Sequence, residues 1–122
     1  MTLQGQKLAQ KIADLALEKK AIDIKVLDLR DISDVTDFFV ICHGESDVQN
    51  RAISNHIEFD LKKKDRVRSW HTEGYKVAQW ILIDYVDVVV HIFSPDNRSY
   101  YGLEDLWGDA PTTTVIDKSE LE

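Results

Sequence analysis

The residues able to do chemistry are few, and their spacing works against most of it. Cys42 and His43 are adjacent in an apolar run that reads as a strand. Neighbours in a strand point to opposite faces, so they cannot form a thiolate–imidazolium pair with each other, and Cys42 reads as core packing. His43, His56, His71 and His91 show no three- or four-residue spacing on one helix and no Cys-x-x-Cys partner, so no metal site is expected. Neither Gly-x-Gly-x-x-Gly nor Gly-x-x-x-x-Gly-Lys occurs, which removes the usual dinucleotide and triphosphate cradles. Gly44-Glu45-Ser46 could serve as a phosphate loop if a later strand carried paired carboxylates for Mg²⁺ and nucleotidyl transfer. Such a site wants Asp-x-Asp on one strand face. Asp84 and Asp87 lie three apart across an expected turn, and Asp60 and Asp65 sit at a helix end, so the spacing fails. Asp84 and Asp87 read instead as turn acids or as recognition residues at an exposed strand end. No cofactor is expected.

These residues must be held by a fold, and hydropathy periodicity outlines one. From Thr2 to Lys20, Leu8, Ile12 and Leu15 with Ala9, Ala13 and Ala16 recur at helical spacing. Ile24 to Leu29 reads as a strand of mixed burial, Arg30 to Thr36 as a connection rich in turn formers, and Phe38 to Cys42 as a central strand covered on both faces. Ser46 and Gln49 have the form of a capping box, with Asp47 well placed against the positive helix end. The helix that follows carries Val48, Ala52, Ile53, Ile57 and Leu61 and ends in Lys62, Lys63 and Lys64, where positive charge suits the dipole.

Val67 to Trp70 is a short strand candidate and Thr72-Glu73-Gly74 a turn. Val77 to Asp84 and Val88 to Phe93 form two apolar runs joined as a hairpin. Ser94-Pro95-Asp96-Asn97 opens a short helix through Tyr101, and Leu103 to Trp107 forms another helical turn. Past Pro111 no periodicity is visible and the last eleven residues are expected to fray. The result is a single α/β domain, a mixed sheet with flanking helices, with a parallel crossover expected from Phe39 through the second helix to Val67.

The chain has 122 residues, enough for one core, and its 43% hydrophobic and 30% charged content is that of a globular protein. No apolar stretch is long enough to span a bilayer and the N-terminus lacks the order of a secretory signal, which with a lone cysteine reads as cytoplasmic. Net charge is -7, so direct nucleic-acid binding is not expected as the main mode. The segment with Lys62, Lys63, Lys64, Arg66 and Arg68 is the one place where RNA could bind directly. Acidity is concentrated after Glu104, in a tail that either solubilises the chain or faces a basic partner.

What remains is surface. Trp80, Leu82 and Asp84 alternate with Ile81, Ile83 and Tyr85. An aspartate does not belong in a closed core, so the Trp80, Leu82, Asp84 face is expected at an opening or edge and the isoleucine face in the core. A large ring beside a carboxylate suits a basic protein surface. Trp80→Ala is expected to weaken partner binding and to leave the thermal transition nearly unchanged.

Several separated motifs carry a resemblance. The runs Asp37-Phe38-Phe39-Val40-Ile41-Cys42-His43-Gly44-Glu45-Ser46-Asp47, Glu73-Gly74, Trp80 through His91, and Tyr101-Gly102-Leu103-Glu104-Asp105-Leu106-Trp107 with Asp109-Ala110-Pro111 occur in order. Together they resemble the ribosomal silencing factor, or Iojap-like, family over nearly the whole chain to Pro111. The resemblance implies a nucleotidyltransferase-like fold without transferase activity. It further implies binding to the large ribosomal subunit through ribosomal protein L-fourteen, steric exclusion of the small subunit, lower translation when nutrients are short, and a homodimer in isolation. Carried over residue by residue, it centres the partner surface on Trp80, Leu82, Asp84 and Tyr85, with Glu73 and Gly74 at the margin and Ser46 and Asp47 as helix caps. Residues 1–111 would form the silencing factor domain and 112–122 an acidic, flexible tail. The alternative from another class is a divergent metal-dependent nucleotidyltransferase.

Overall fold

The apolar faces need a sheet to close against, and a computed structural model, which describes residues 3–117, provides one. In chain order the elements are α1 (Gly5–Glu18), β1 (Ile22–Asp28), β2 (Phe38–His43), α2 (Asp47–Asp60), a π-helical turn (Leu61–Asp65), β3 (His71–Glu73), β4 (Trp80–Asp84), β5 (Val88–Phe93), α3 (Pro95–Tyr101), α4 (Leu103–Leu106) and β6 (Thr112–Val115). The sheet runs β3-β4-β5-β2-β1-β6. Only β2 and β5 pair in parallel, at its centre, where β5 is buried throughout and β2 nearly so.

Helices α1 and α2 lie on one face. Leu8, Ile12, Ile53 and Ile57 pack there with Val26, Val40, Cys42, Ile81, Ile83, Val90 and Ile92. Burying each full-sized aliphatic chain contributes about 1.5–3 kcal/mol. Cys42 is part of this core, and burial pushes its thiol up to about 12, which leaves it an apolar filler rather than a nucleophile. Ser46 Oγ accepts a hydrogen bond from Gln49 N at 3.1 Å, the serine half of the cap read from the sequence, while Gln49 Oε1 reaches one residue further back and accepts from Glu45 N at 2.8 Å. The opposite face of the sheet carries a smaller cluster of Leu27, Leu29, Ile41 and Phe93, roofed by Leu103, Trp107 and Ala110 from the C-terminal segment.

Five expectations about the elements need correction. Val67 to Trp70 is not a strand: Val67 N bonds Leu61 O at 2.9 Å to close the π-helical turn, Arg66 is left-handed at φ 57°, and pairing begins only at Trp70 N, which reaches Asp84 O. Thr72 and Glu73 therefore belong to β3, an edge strand antiparallel to β4, and Gly74 alone begins the turn. The parallel partner of β2 is accordingly β5, reached only after β3 and β4, and not Val67. β4 starts at Trp80 because Ala78 is held at φ 61°, its carbonyl accepting from the buried Asn50 Nδ2 at 2.8 Å.

The last correction concerns the end of the chain. Thr112–Val115 do not fray but pair antiparallel with Ile24–Leu27, and Asp28 N donates to Pro111 O at 2.9 Å. Without them β1 would expose a row of unpaired backbone groups, and three threonines and a valine suit a strand. Thr2, where the first helix was expected to begin, and Lys118, Glu120 and Glu122, which carry the end of the tail's charge, lie outside the described residues.

Candidate functional site: an open sheet face

On the face away from α1 and α2, strand register fixes which side chains are neighbours. One row across the sheet is Glu73, Leu82, His91 and Ile41; the next is His71, Asp84, Val89 and Phe39. Trp80 lies beside Phe93 in a third. The C-terminal helices roof the β1 and β2 side of this face, and the β3 and β4 side is left partly open. Trp80, Leu82 and Asp84 are half-buried there, while Ile81 and Ile83 are fully buried on the other side, as the alternation requires.

The roof is pinned by Arg98, only 9% exposed. Its guanidinium donates to Glu104 Oε1 at 2.6 Å, to the Ile22 carbonyl at 3.3 Å and to His43 Nδ1 at 2.9 Å. Burial would raise the Glu104 carboxyl, but the hydrogen bond and charge of Arg98, with Lys25, outweigh it and hold that carboxyl below its usual range. Burial and the Arg98 charge together depress the His43 imidazole. This anchor holds Tyr101 at 4.6 Å from the Trp80 ring, and Trp107 edge-on to Phe39 at 6.1 Å.

Trp80 is also held from below. Its indole Nε1–H donates to His91 Nδ1 at 3.1 Å, which requires the proton of the neutral imidazole on Nε2, and Phe93 lies 4.9 Å from the indole. Trp80 is thus a fixed ring. The expectation that Trp80→Ala leaves the thermal transition unchanged is not upheld, because truncation removes this packing and strands the His91 acceptor.

His91 itself is 4% exposed, and burial pushes its imidazole down from 6.5 to about 3. The unfolded chain binds a proton at this position as pH falls through 6.5, and the folded chain does not until far lower. Stability from this group therefore falls as pH is lowered between 6.5 and 3, by up to about 1.4 kcal/mol per pH unit. Denaturant unfolding of the wild type and of His91→Phe at pH 7.5, 6 and 5 should show the flatter pH dependence in the variant. Parallel curves would mean that the folded ring protonates freely.

The acids expected at the site divide. Asp84 Oδ1 accepts from Val86 N at 2.7 Å, and Asp87 Oδ2 accepts from Gly5 N at 2.6 Å, tying α1 to the β4–β5 turn. Asp84 thus closes its own turn with one oxygen, while Asp87 caps the first residue of α1. Among the described residues no group of three or more His, Cys, Asp or Glu side chains could hold a metal ion. Glu73 is exposed at the β3 edge, 3.0 Å from His71 Nε2. Gly74 begins the β3–β4 turn at φ 80°, where an added Cβ would run into the Trp80 carbonyl oxygen. Tyr85 must be removed from the surface: it is 6% exposed and packs in the core beneath the sheet, as its place on the isoleucine face dictates, with its hydroxyl pushed up by burial.

The sequence reading missed His91 and Tyr101 as neighbours of Trp80, and Phe39 as the ring behind His91. Phe39 and His91 sit inside apolar strands, and Tyr101 arrives from a separate helix, so only cross-strand register reveals them.

Comparison with known proteins accounts for this arrangement. The model of the family described as "Ribosomal silencing factor during starvation" matches residues 2–122. The chain belongs to the ribosomal silencing factor family. A ribosomal silencing factor from Bacillus subtilis is 50% identical over 108 residues, covering 88% of this chain and 91% of the relative. One from Halalkalibacterium halodurans is 43% identical over 113 residues, covering 93% and 96%. The chloroplastic Iojap protein of Zea mays is 41% identical over 84% of this chain and 44% of its own length. A crystal structure of a Chromobacterium violaceum protein superposes with a TM-score of 0.82 at 28% identity, covering 93% of this chain and 94% of that one. A Bacillus halodurans structure gives 0.77 at 40% identity, covering 91% and 100%. The ribosomal silencing factor fold is therefore the single-domain α/β architecture with a mixed six-stranded sheet described above. No helix among the described residues is long and apolar enough to cross a membrane.

Proposed function

We propose that this chain docks on the large ribosomal subunit through ribosomal protein L-fourteen and, by occupying that surface, prevents the small subunit from joining, so that translation falls when nutrients are short. Membership of the silencing factor family carries the reading, and the open sheet face gives it a surface. Trp80 and Leu82 form an apolar strip, Asp84 and Glu73 flank it with negative charge, and Gly74 shapes its margin. Such a strip suits a basic protein partner: the apolar groups are desolvated on contact and the acids set orientation.

No chemistry is needed. A 14.0 kDa body can exclude a whole subunit if its bound volume overlaps a contact between subunits, because close-packed matter does not yield to a backbone clash. The work is done in the cytoplasm. In isolation two copies pair, a reading supported by the two sheet edges, β3 and β6, whose outer backbone groups have no strand partner among the described residues.

Sucrose gradients of ribosomes mixed with purified protein test the proposal. The chain should sediment with large subunits, and the joined fraction should fall as it is added. Unchanged joining at saturating protein would overturn the reading.

A further inference from the structure

We propose that the segment linking α2 to β3 makes a second contact, to the phosphate backbone of RNA beside the docked protein partner. This rests on the docking reading above and deepens it. Lys62, Lys63, Arg66 and Arg68 are all exposed, and among the described residues none of them has an acidic partner. Lys7, Lys19, Lys20 and Lys76 also lack a carboxylate partner among the described residues, so what sets this segment apart is the gathering of such cations between Lys62 and Arg68. Arg30, Arg51 and Arg98 each lie against a carboxylate, as do Lys11 and Lys25. A helix end calls for one favourable charge, and Lys64 supplies it, 3.0 Å from the buried Asp60. Arg66 and Arg68 lie beyond the helix and the π-helical turn, so the terminus does not account for them.

The cations are also arranged around a ring. Phe59 is 64% exposed, Lys63 Nζ stands 5.4 Å from its centroid, and an open groove of about 540 Å³ runs past it, bordered by Lys62 and Arg68. The acid in that groove, Glu58, is engaged by the hydroxyls of Ser69 at 2.6 Å and Thr72 at 2.9 Å. Unpaired cations around a flat apolar ring are the combination that tracks a nucleic-acid strand, charge on phosphate and ring on base. The position fits as well: from Arg68 the chain passes through Ser69 and Trp70 directly into β3, the edge of the open face. A partner on that face brings its surrounding RNA to this edge. With a net charge of -7 the chain would not hold naked RNA, so the contact forms once docking has overcome that repulsion.

The test uses purified large subunits and a triple variant, Lys62→Gln with Lys63→Gln and Arg68→Gln. Arg66 is left in place because its left-handed backbone closes the turn. Affinity for subunits at moderate salt should fall about tenfold or more, and the slope of log affinity against log salt should become shallower by about 2–3. Affinity for isolated ribosomal protein L-fourteen should not move. A photoreactive benzophenone side chain at position 59 should crosslink to ribosomal RNA. An unchanged salt slope and affinity, or a crosslink that lands on a protein, would overturn the RNA contact while leaving docking intact. A wild-type chain that ignores large subunits would bring down both.

Discussion

Leu82→Lys should fold normally and fail to hold the large subunit. Leu82 is half-buried in the middle of the open strip, between Glu73 on one side and His91 on the other. A lysine there can lie with its stem along the sheet and its ammonium in solvent, so the thermal transition should shift little. Docking is another matter. The substitution removes an apolar contact and presents a cation to a basic partner, and central contacts of this kind carry about 2 kcal/mol or more, close to 30-fold in affinity. Co-sedimentation with large subunits measures it. Binding within a few-fold of wild type would remove Leu82 from the docking surface, and a collapse of melting temperature would move it into the core. Trp80→Ala cannot make this distinction, because that indole supports the fold and the surface at once.

Gly74→Ala should be the most damaging single change of stability on this side of the sheet. Gly74 holds φ 80°, which costs an L-residue about 1–2 kcal/mol, and the new methyl group would meet the Trp80 carbonyl oxygen, a backbone atom that cannot swing aside. Relief requires β3 and β4 to part or the turn to be rebuilt. A loss of about 3 kcal/mol is expected, lowering the thermal midpoint by about 10 °C. Because the same turn sets the height of Glu73 and Trp80, subunit binding should weaken even at temperatures where the variant is folded. Differential scanning calorimetry checks the first effect and co-sedimentation the second. A midpoint within 2–3 °C of wild type, roughly the effect of 1 kcal/mol or less, would show that the turn relaxes without strain.

Where local preference and tertiary demand agree, the fold is legible in the sequence. The unbroken apolar run at Phe38–Cys42 announces a strand covered on both faces, and it occupies the centre of the sheet. Ser46 with Gln49 and Ser94 with Asn97 announce helix starts, and both serines accept the expected backbone hydrogen bond. Alternation in Trp80–Asp84 separates an open face from a core face, and burial follows it. The failures share one cause. β3 begins where Asp84 offers a carbonyl to Trp70, and β6 exists because β1 has a bare edge. Neither fact is local. Tyr85 was assigned to the partner surface by resemblance although its alternation placed it with the isoleucines; the alternation was the better guide. His91 and Tyr101 around Trp80, with Phe39 behind His91, show the same limit for the site, since their proximity depends on strand register and on the Arg98 anchor.

The central parallel pair has a kinetic consequence. Phe38–His43 and Val88–Phe93 are distant in sequence, and every outer strand leans directly or through a neighbour on one of them. The N-terminal half supplies only the β1–β2 pair and the C-terminal half only β3-β4-β5 and β6, so neither can assemble the six-stranded sheet alone. Nucleation must wait for a large loop to close, which makes acquisition of structure slow, on the order of milliseconds to seconds, and concerted. A truncated translation product ending before Val88 would thus carry the Trp80 strip with nothing to flatten it against, and would be inert until the missing strand was supplied.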